Sequence, residues 1–219
     1  MENIANMAKC YFKKYEVEDV VYQETTVLFI LESPHTQEIK YGYPVAGNSG
    51  LEMTKFIYGD DKDDAFGKIV GQPKKHQKEY NNIKNFGLLN VSPAPMQLGG
   101  LKGYDLTVED KEVGEVLEKL RVNYKTKEHR NQDWNQIKKI ILTDFKERLV
   151  NQIKSIPQLK YLVPCGKLAA TYLDLIKNSN GVIQEKGIIS EIPHPSFNQW
   201  SRYKTMNKLK IILKEMGIK

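Results

Sequence analysis

The chain has 219 residues, enough for one domain with a sizeable core, and its 40% hydrophobic and 27% charged content is that of an ordinary globular protein. Two cysteines, Cys10 and Cys165, at no paired spacing, exclude a disulfide framework and a cysteine-held zinc or iron–sulfur centre. The net charge of +6 suits a polyanionic partner and equally a lysine-rich solvated surface. No apolar run approaches the roughly 20 residues that cross a bilayer, and the first twenty residues carry no apolar signal core. The expectation is a cytoplasmic monomer of one domain, residues 1–219, with no membrane partner.

In chain order, the first predicted strand is the apolar run Val27–Leu31. Twenty residues, LESPHTQEIKYGYPVAGNSG, then separate it from a helical pattern, LEMTKFIYG. A plain strand-to-helix connection takes about two to six residues, so this loop has more to do than connect. Residues 60–84 are dense in Lys, Asp and Gln and read as an insertion over the rim of a sheet. The second predicted strand is Phe86–Val91. A second polar insertion is expected over residues 99–135, with a helix at Val108–Leu120.

Phe145, Leu149, Ile153 and Ile156 then form one helical stripe. Next come a strand at Tyr161–Cys165, a helix opened by Gly166, and a strand at Ile188–Ile192. The last nineteen residues read as a helix with Met206, Leu209, Ile212, Leu213 and Met216 inward. Strands of nearly continuous apolar character, alternating with helices, predict a three-layer α/β/α fold on a short, mainly parallel four-stranded sheet.

Ligands of open parallel sheets bind beyond the carboxyl ends of the strands. The residues there are Glu32, Ser33, Pro34 and His35 after the first strand, and Asn90 at the end of the second. A glycine turn follows the third, and His194, Pro195 and Ser196 follow the fourth. One carboxylate, one amide and one histidine thus meet on one rim.

These blocks resemble the uracil-DNA glycosylase superfamily, closest in motif pattern to the bacterial and archaeal families numbered four and five. The run Glu32-Ser33-Pro34-His35, Glu38 and Gly42–Gly50 matches a strand followed by GEAPG, a Glu and GxPFVGxAG. Asn90-Val91-Ser92-Pro93 matches the end of the second strand, QIKSIPQLKYLVPCGKLAAT the third block, and His194-Pro195-Ser196 the closing HPS. Four ordered blocks cover about half of the chain. The departures are the missing cluster cysteines, Val45 in place of the aromatic residue that stacks on uracil, and His35 in place of a small residue.

The resemblance implies a DNA glycosylase needing no cofactor and no metal, with DNA as partner. Hydrolysis of the N-glycosidic bond builds positive charge on the sugar and negative charge on the departing base. Glu32, with Glu38 in reserve, is expected to orient water or balance the sugar's charge, and His194 to donate toward the base. Asn90 is expected to read the edge of a flipped pyrimidine, with the His35 N–H, Val45 and Tyr43 around it. Ser49 and Ser196 are expected at phosphates, Phe197 or Trp200 as a wedge into the stack, and Arg202, Lys204, Lys208 and Lys210 along the backbone.

Other readings stand beside these. Glu32 can cap its turn, Asn90 can be a turn residue, and the aromatics can pack beneath the last helix. At the level of function, the alternatives are an ordinary uracil repair enzyme, a non-catalytic nucleic-acid binding module, and a hydrolase of small nucleosides. Val45 also leaves room for a bulky modified pyrimidine of the kind found in some bacteriophages, whose removal would serve defence.

Overall fold

The structure, a computed structural model, describes residues 3–178 and 180–218. Four parallel strands, β1 (Val27–Leu31), β2 (Phe86–Asn90), β3 (Tyr161–Pro164) and β4 (Gly187–Ile188), lie in the order β2-β1-β3-β4. Leu31 stands opposite Asn90, and Ile30 opposite Pro164, so the chemically distinctive strand ends are neighbours.

The helices are α1 (Ile4–Lys14), α2 (Thr36–Tyr41), α3 (Asn48–Tyr58), α4 (Phe66–Gly71), α5 (Pro73–His76) and α6 (Val108–Val122). They continue with α7 (Gln132–Ser155), α8 (Lys167–Lys177), α9 (Gly181–Gln184), α10 (Gln199–Arg202) and α11 (Met206–Glu215). All five residues of β1 are buried, because both faces of the sheet are covered. Strand alternation sends Leu28, Ile30 and Leu89 into one core with α1, α6, α7 and α8. It sends Val27, Phe29, Leu31 and Leu88 into the other, with α3, α4, α10 and α11. The three-layer α/β/α architecture expected from the sequence is therefore the one observed.

The two polar stretches are not rim insertions. Phe66, Ile69 and Val70 on α4 are fully buried in the second core, and Val113, Leu117 and Leu120 on α6 in the first. On α6 charged residues on the outer face mask the apolar stripe in the composition, and α4 is a short apolar helix set between charged runs. At β4, regular pairing ends after Ile188, and Glu191 adopts a left-handed backbone (φ 66°). Ile192 rejoins Cys165 only as an isolated bridge. The final helix begins at Met206, because Tyr203 is extended. Helix α1, absent from the sequence reading, buries Ile4, Met7, Ala8 and Tyr11 at helical spacing.

Trp200 is a core residue, not a wedge. It is 1% exposed, contacts the rings of Phe29 and Phe56, and donates its Nε1–H to the Pro193 carbonyl at 2.9 Å. Phe197, three residues earlier, is 87% exposed. The two aromatics should separate in urea unfolding. Trp200→Ala is expected to cost about 3–5 kcal/mol, and Phe197→Ala less than about 0.5 kcal/mol.

Candidate active site

The β1–α3 loop is held by one carboxylate. Glu38, on α2, is buried and accepts the backbone N–H of His35 through Oε2 at 2.8 Å and that of Val45 through Oε1 at 2.6 Å. Burial pushes its pKa up to about 7; the two N–H donors oppose the rise, and the charge of Glu32 adds to it. Glu38 is thus engaged in bracing the loop, and the His35 N–H, expected to face a base, is taken by it. The His35 side chain is exposed.

The brace holds a difficult turn. Val45 has φ 50°, a left-handed conformation costly for a β-branched residue. Two glycines admit its backbone: a Cβ on Gly50 would lie 1.7 Å from the Val45 carbonyl oxygen, and one on Gly67 1.9 Å from that of Pro44. Val45 itself is buried in the second core. Tyr43 turns away to α4, where its ring lies against Gly71 (2.3 Å from a Cβ placed there), so the structure gives it a packing role at that helix. Beyond the turn, Ser49 is the second residue of α3, and its hydroxyl makes no hydrogen bond among the described residues.

Asn90 ends β2 fully buried, and neither atom of its side-chain amide has a hydrogen-bond partner. Two residues after Leu88, it falls by alternation on the second-core side of the sheet, the side of Val45. Its backbone is clamped. Arg148 on α7 donates to the carbonyls of Asn90 (2.9 Å) and Val91 (3.2 Å) while pairing with Asp19 and Asp144. Burial raises the Asp19 pKa to about 6 against the pull of Arg148 and a hydrogen bond from the Asn90 backbone. The Asp144–Arg148 spacing of four is the one local sign of this clamp in the sequence.

Glu32 leaves β1 on the opposite side, toward α6 and α8. Its Oε1 accepts a hydrogen bond from the Nε–H of Arg121 on α6, and its side chain is 16% exposed. Arg121 lies in the stretch whose polar composition predicts an insertion, so composition gives no sign of this contact. The hydroxyl of Tyr172, on α8, is buried and without a hydrogen-bond partner; burial raises its pKa, and Glu32 is close enough to add to the rise.

His194 completes the rim. Burial lowers its pKa, Glu32 opposes that shift, and Arg121 reinforces it, so all three are electrostatic neighbours. Its Nδ1 is 2.9 Å from the hydroxyl of half-buried Ser196, which is thus engaged with the imidazole. Gly166, at φ 93°, lets the backbone before α8 pass beneath it, since a Cβ there would lie 3.1 Å from His194 Cβ. Phe197 and Asn198 follow in successive left-handed conformations. Arg202 and Lys204 are exposed and make no ion pair among the described residues. Lys208, by contrast, pairs with Glu191, and Lys210 sits over the Phe56 ring.

No protein-family model matches the chain, and no curated protein matches it. Among solved structures it is similar to the solution NMR structure of a protein from Methanosarcina acetivorans described as a "putative Uracil DNA glycosylase". The identity is 15% and the TM-score 0.47, over 93% of this chain and 98% of that one. The likeness is distant. Among the described residues, no group of side chains is placed to hold a metal ion, and no helix is long and apolar enough to cross a membrane.

The brace has a pH signature. A carboxyl group raised from the ordinary 4.5 to about 7 on folding binds its proton more tightly in the native state. Its stabilisation is complete below the unfolded value and is lost as pH rises toward 7. Urea unfolding of wild type and Glu38→Gln at pH 5 and pH 8 isolates it, because Asp19 contributes equally to both proteins. The stability difference, wild type minus variant, should fall by on the order of 2 kcal/mol from pH 5 to pH 8. A pH-independent difference would contradict the buried brace.

Proposed function

We propose that the chain is a DNA glycosylase, hydrolysing the N-glycosidic bond of a flipped pyrimidine to leave an abasic site. The observation that carries the reading is the Asn90 amide, fully buried with neither atom paired, on a strand end whose neighbour leads directly into Glu32. An unsatisfied buried polar group costs about 1–3 kcal/mol. An amide offers a donor and an acceptor side by side, the complement of a pyrimidine's Watson–Crick edge, and a captured base would relieve that cost.

The chemistry follows from the charges around the rim. Glu32 would orient the attacking water or balance the positive sugar, and its Oε2 has no partner among the described residues. Burial keeps His194 neutral near pH 7. In the tautomer in which the Ser196 hydroxyl donates to Nδ1, the imidazole proton would sit on Nε2, where it could stabilise the departing base anion. On the DNA side, exposed Phe197 would fill the gap left by the base, with Ser49, Arg202 and Lys204 at phosphates.

The proposed base is a bulky, modified pyrimidine. Val45 stands where an aromatic wall is expected, and Tyr43 is taken up at Gly71. An aromatic stack is worth about 1–3 kcal/mol per base, so plain uracil would be held weakly while a substituent on the major-groove edge gains room. Excision of such bases would serve defence against bacteriophage more than repair. A second reading, a non-catalytic binding module, is favoured by one observation, the engagement of Glu32 by Arg121.

Alkali-revealed abasic sites in DNA carrying uracil or assorted modified pyrimidines separate these readings. Glu32→Gln and His194→Ala should each lower turnover by roughly 10²–10⁴-fold with folding unchanged. Val45→Phe should improve uracil excision and impair removal of larger bases. Efficient excision of uracil with no bulky pyrimidine accepted would overturn the enlarged pocket. DNA binding without excision of any base would favour the binding module.

A further inference from the structure

The contact between Arg121 and Glu32 joins residues 89 positions apart and reaches from the helical layer to the strand edge. We propose that Arg121 is a positioning residue for Glu32, holding Oε1 so that Oε2 is presented to the reacting water or sugar. This rests on the glycosylase reading above.

The geometry supports positioning in three ways. Arg121 arrives on a fixed element: Leu117 and Leu120 of α6 are fully buried, and Gly114 presses on Leu98, 2.2 Å from a Cβ placed there. Glu118 also accepts the Leu98 N–H at 2.9 Å, tying α6 to the segment that follows β2. The contact is a charge-assisted hydrogen bond from the Nε–H to one carboxylate oxygen, Oε1, which leaves Oε2 outside it. And the carboxylate is mostly buried, 16% exposed against 36% for the arginine, so solvent does not orient it. A carboxylate that acts on a water needs a set direction, and an error of about 1 Å can cost about 10²-fold in rate.

His194 supplies an independent reporter. The charged groups that face it are Glu32 from the end of β1 and Arg121 from α6, and they act on it with opposite sign. Ser196 is its hydrogen-bond partner, and Gly166, on the α8 side, brings no charge. Losing the arginine should therefore raise the His194 titration midpoint, and losing the glutamate charge should lower it.

The test uses the full chain with Arg121→Met and Arg121→Lys, reading single-turnover base release against DNA concentration and the His194 imidazole by NMR titration. Arg121→Met is expected to slow the rate at saturating DNA by about 10²-fold, with DNA affinity within a few-fold of wild type and partial rescue by Arg121→Lys. The His194 midpoint should move up in Arg121→Met and down in Glu32→Gln. An unchanged saturating rate with weakened DNA affinity would overturn the proposal and make Arg121 a phosphate contact. A His194 midpoint that moves in neither variant would overturn it as well. An active wild type with a fully active Arg121→Met defeats the positioning role alone. An inactive wild type on every substrate defeats the glycosylase reading, and the positioning role with it.

Discussion

The site depends on a carboxylate buried inside its own loop. Glu38 gathers the N–H groups at the two ends of a tight excursion, His35 and Val45, and so braces the loop between them. The loop needs that anchor, because Val45 sits in a backbone region that β-branched residues avoid. It also needs close approach, which Gly50 and Gly67 permit by lacking a Cβ. With the loop pinned between α3 and α4, the start of α3 and the end of β1 occupy set places, and Glu32 is left free to face the other helical layer.

A second constraint works from the opposite side of the sheet. Arg148 and Asp19, mostly buried charges that satisfy each other, grip the backbone of Asn90, whose side-chain amide has no partner. Unpaired charges at such burial would be expensive, which is why arginine, two carboxylates and two carbonyls form one connected set. The clamp engages the Asn90 main chain alone, so the side-chain amide stays unpaired. On the second-core face of the sheet, Trp200 packs its indole against Phe29 of β1.

The strands were legible because burial on both faces leaves a short, continuous apolar run, as in VLFIL and FGLLN. The ordered strand-end motifs likewise led to Glu32, Asn90 and His194, three residues that the fold brings to the same edge of the sheet. The losses have physical causes. Helix α6 shows one narrow apolar stripe among many charges, and α4 is six residues set between charged runs, so their share of the core, and with it Arg121, is hidden. Pairing across 89 or 129 residues, as in Arg121–Glu32 and Arg148–Asp19, has no local trace. The fates of Trp200 and Phe197, neighbours of like chemistry, were decided by packing alone, one seated on Phe29 and the other on the surface.

The most direct test of the account is chromatography with mass analysis of everything released when wild-type protein meets DNA bearing modified pyrimidines. Free base, with the DNA strand intact and one abasic position, is the result expected of an N-glycosidic hydrolase. Release of a nucleoside or nucleotide, or strand scission with the base still attached to its sugar, would contradict it.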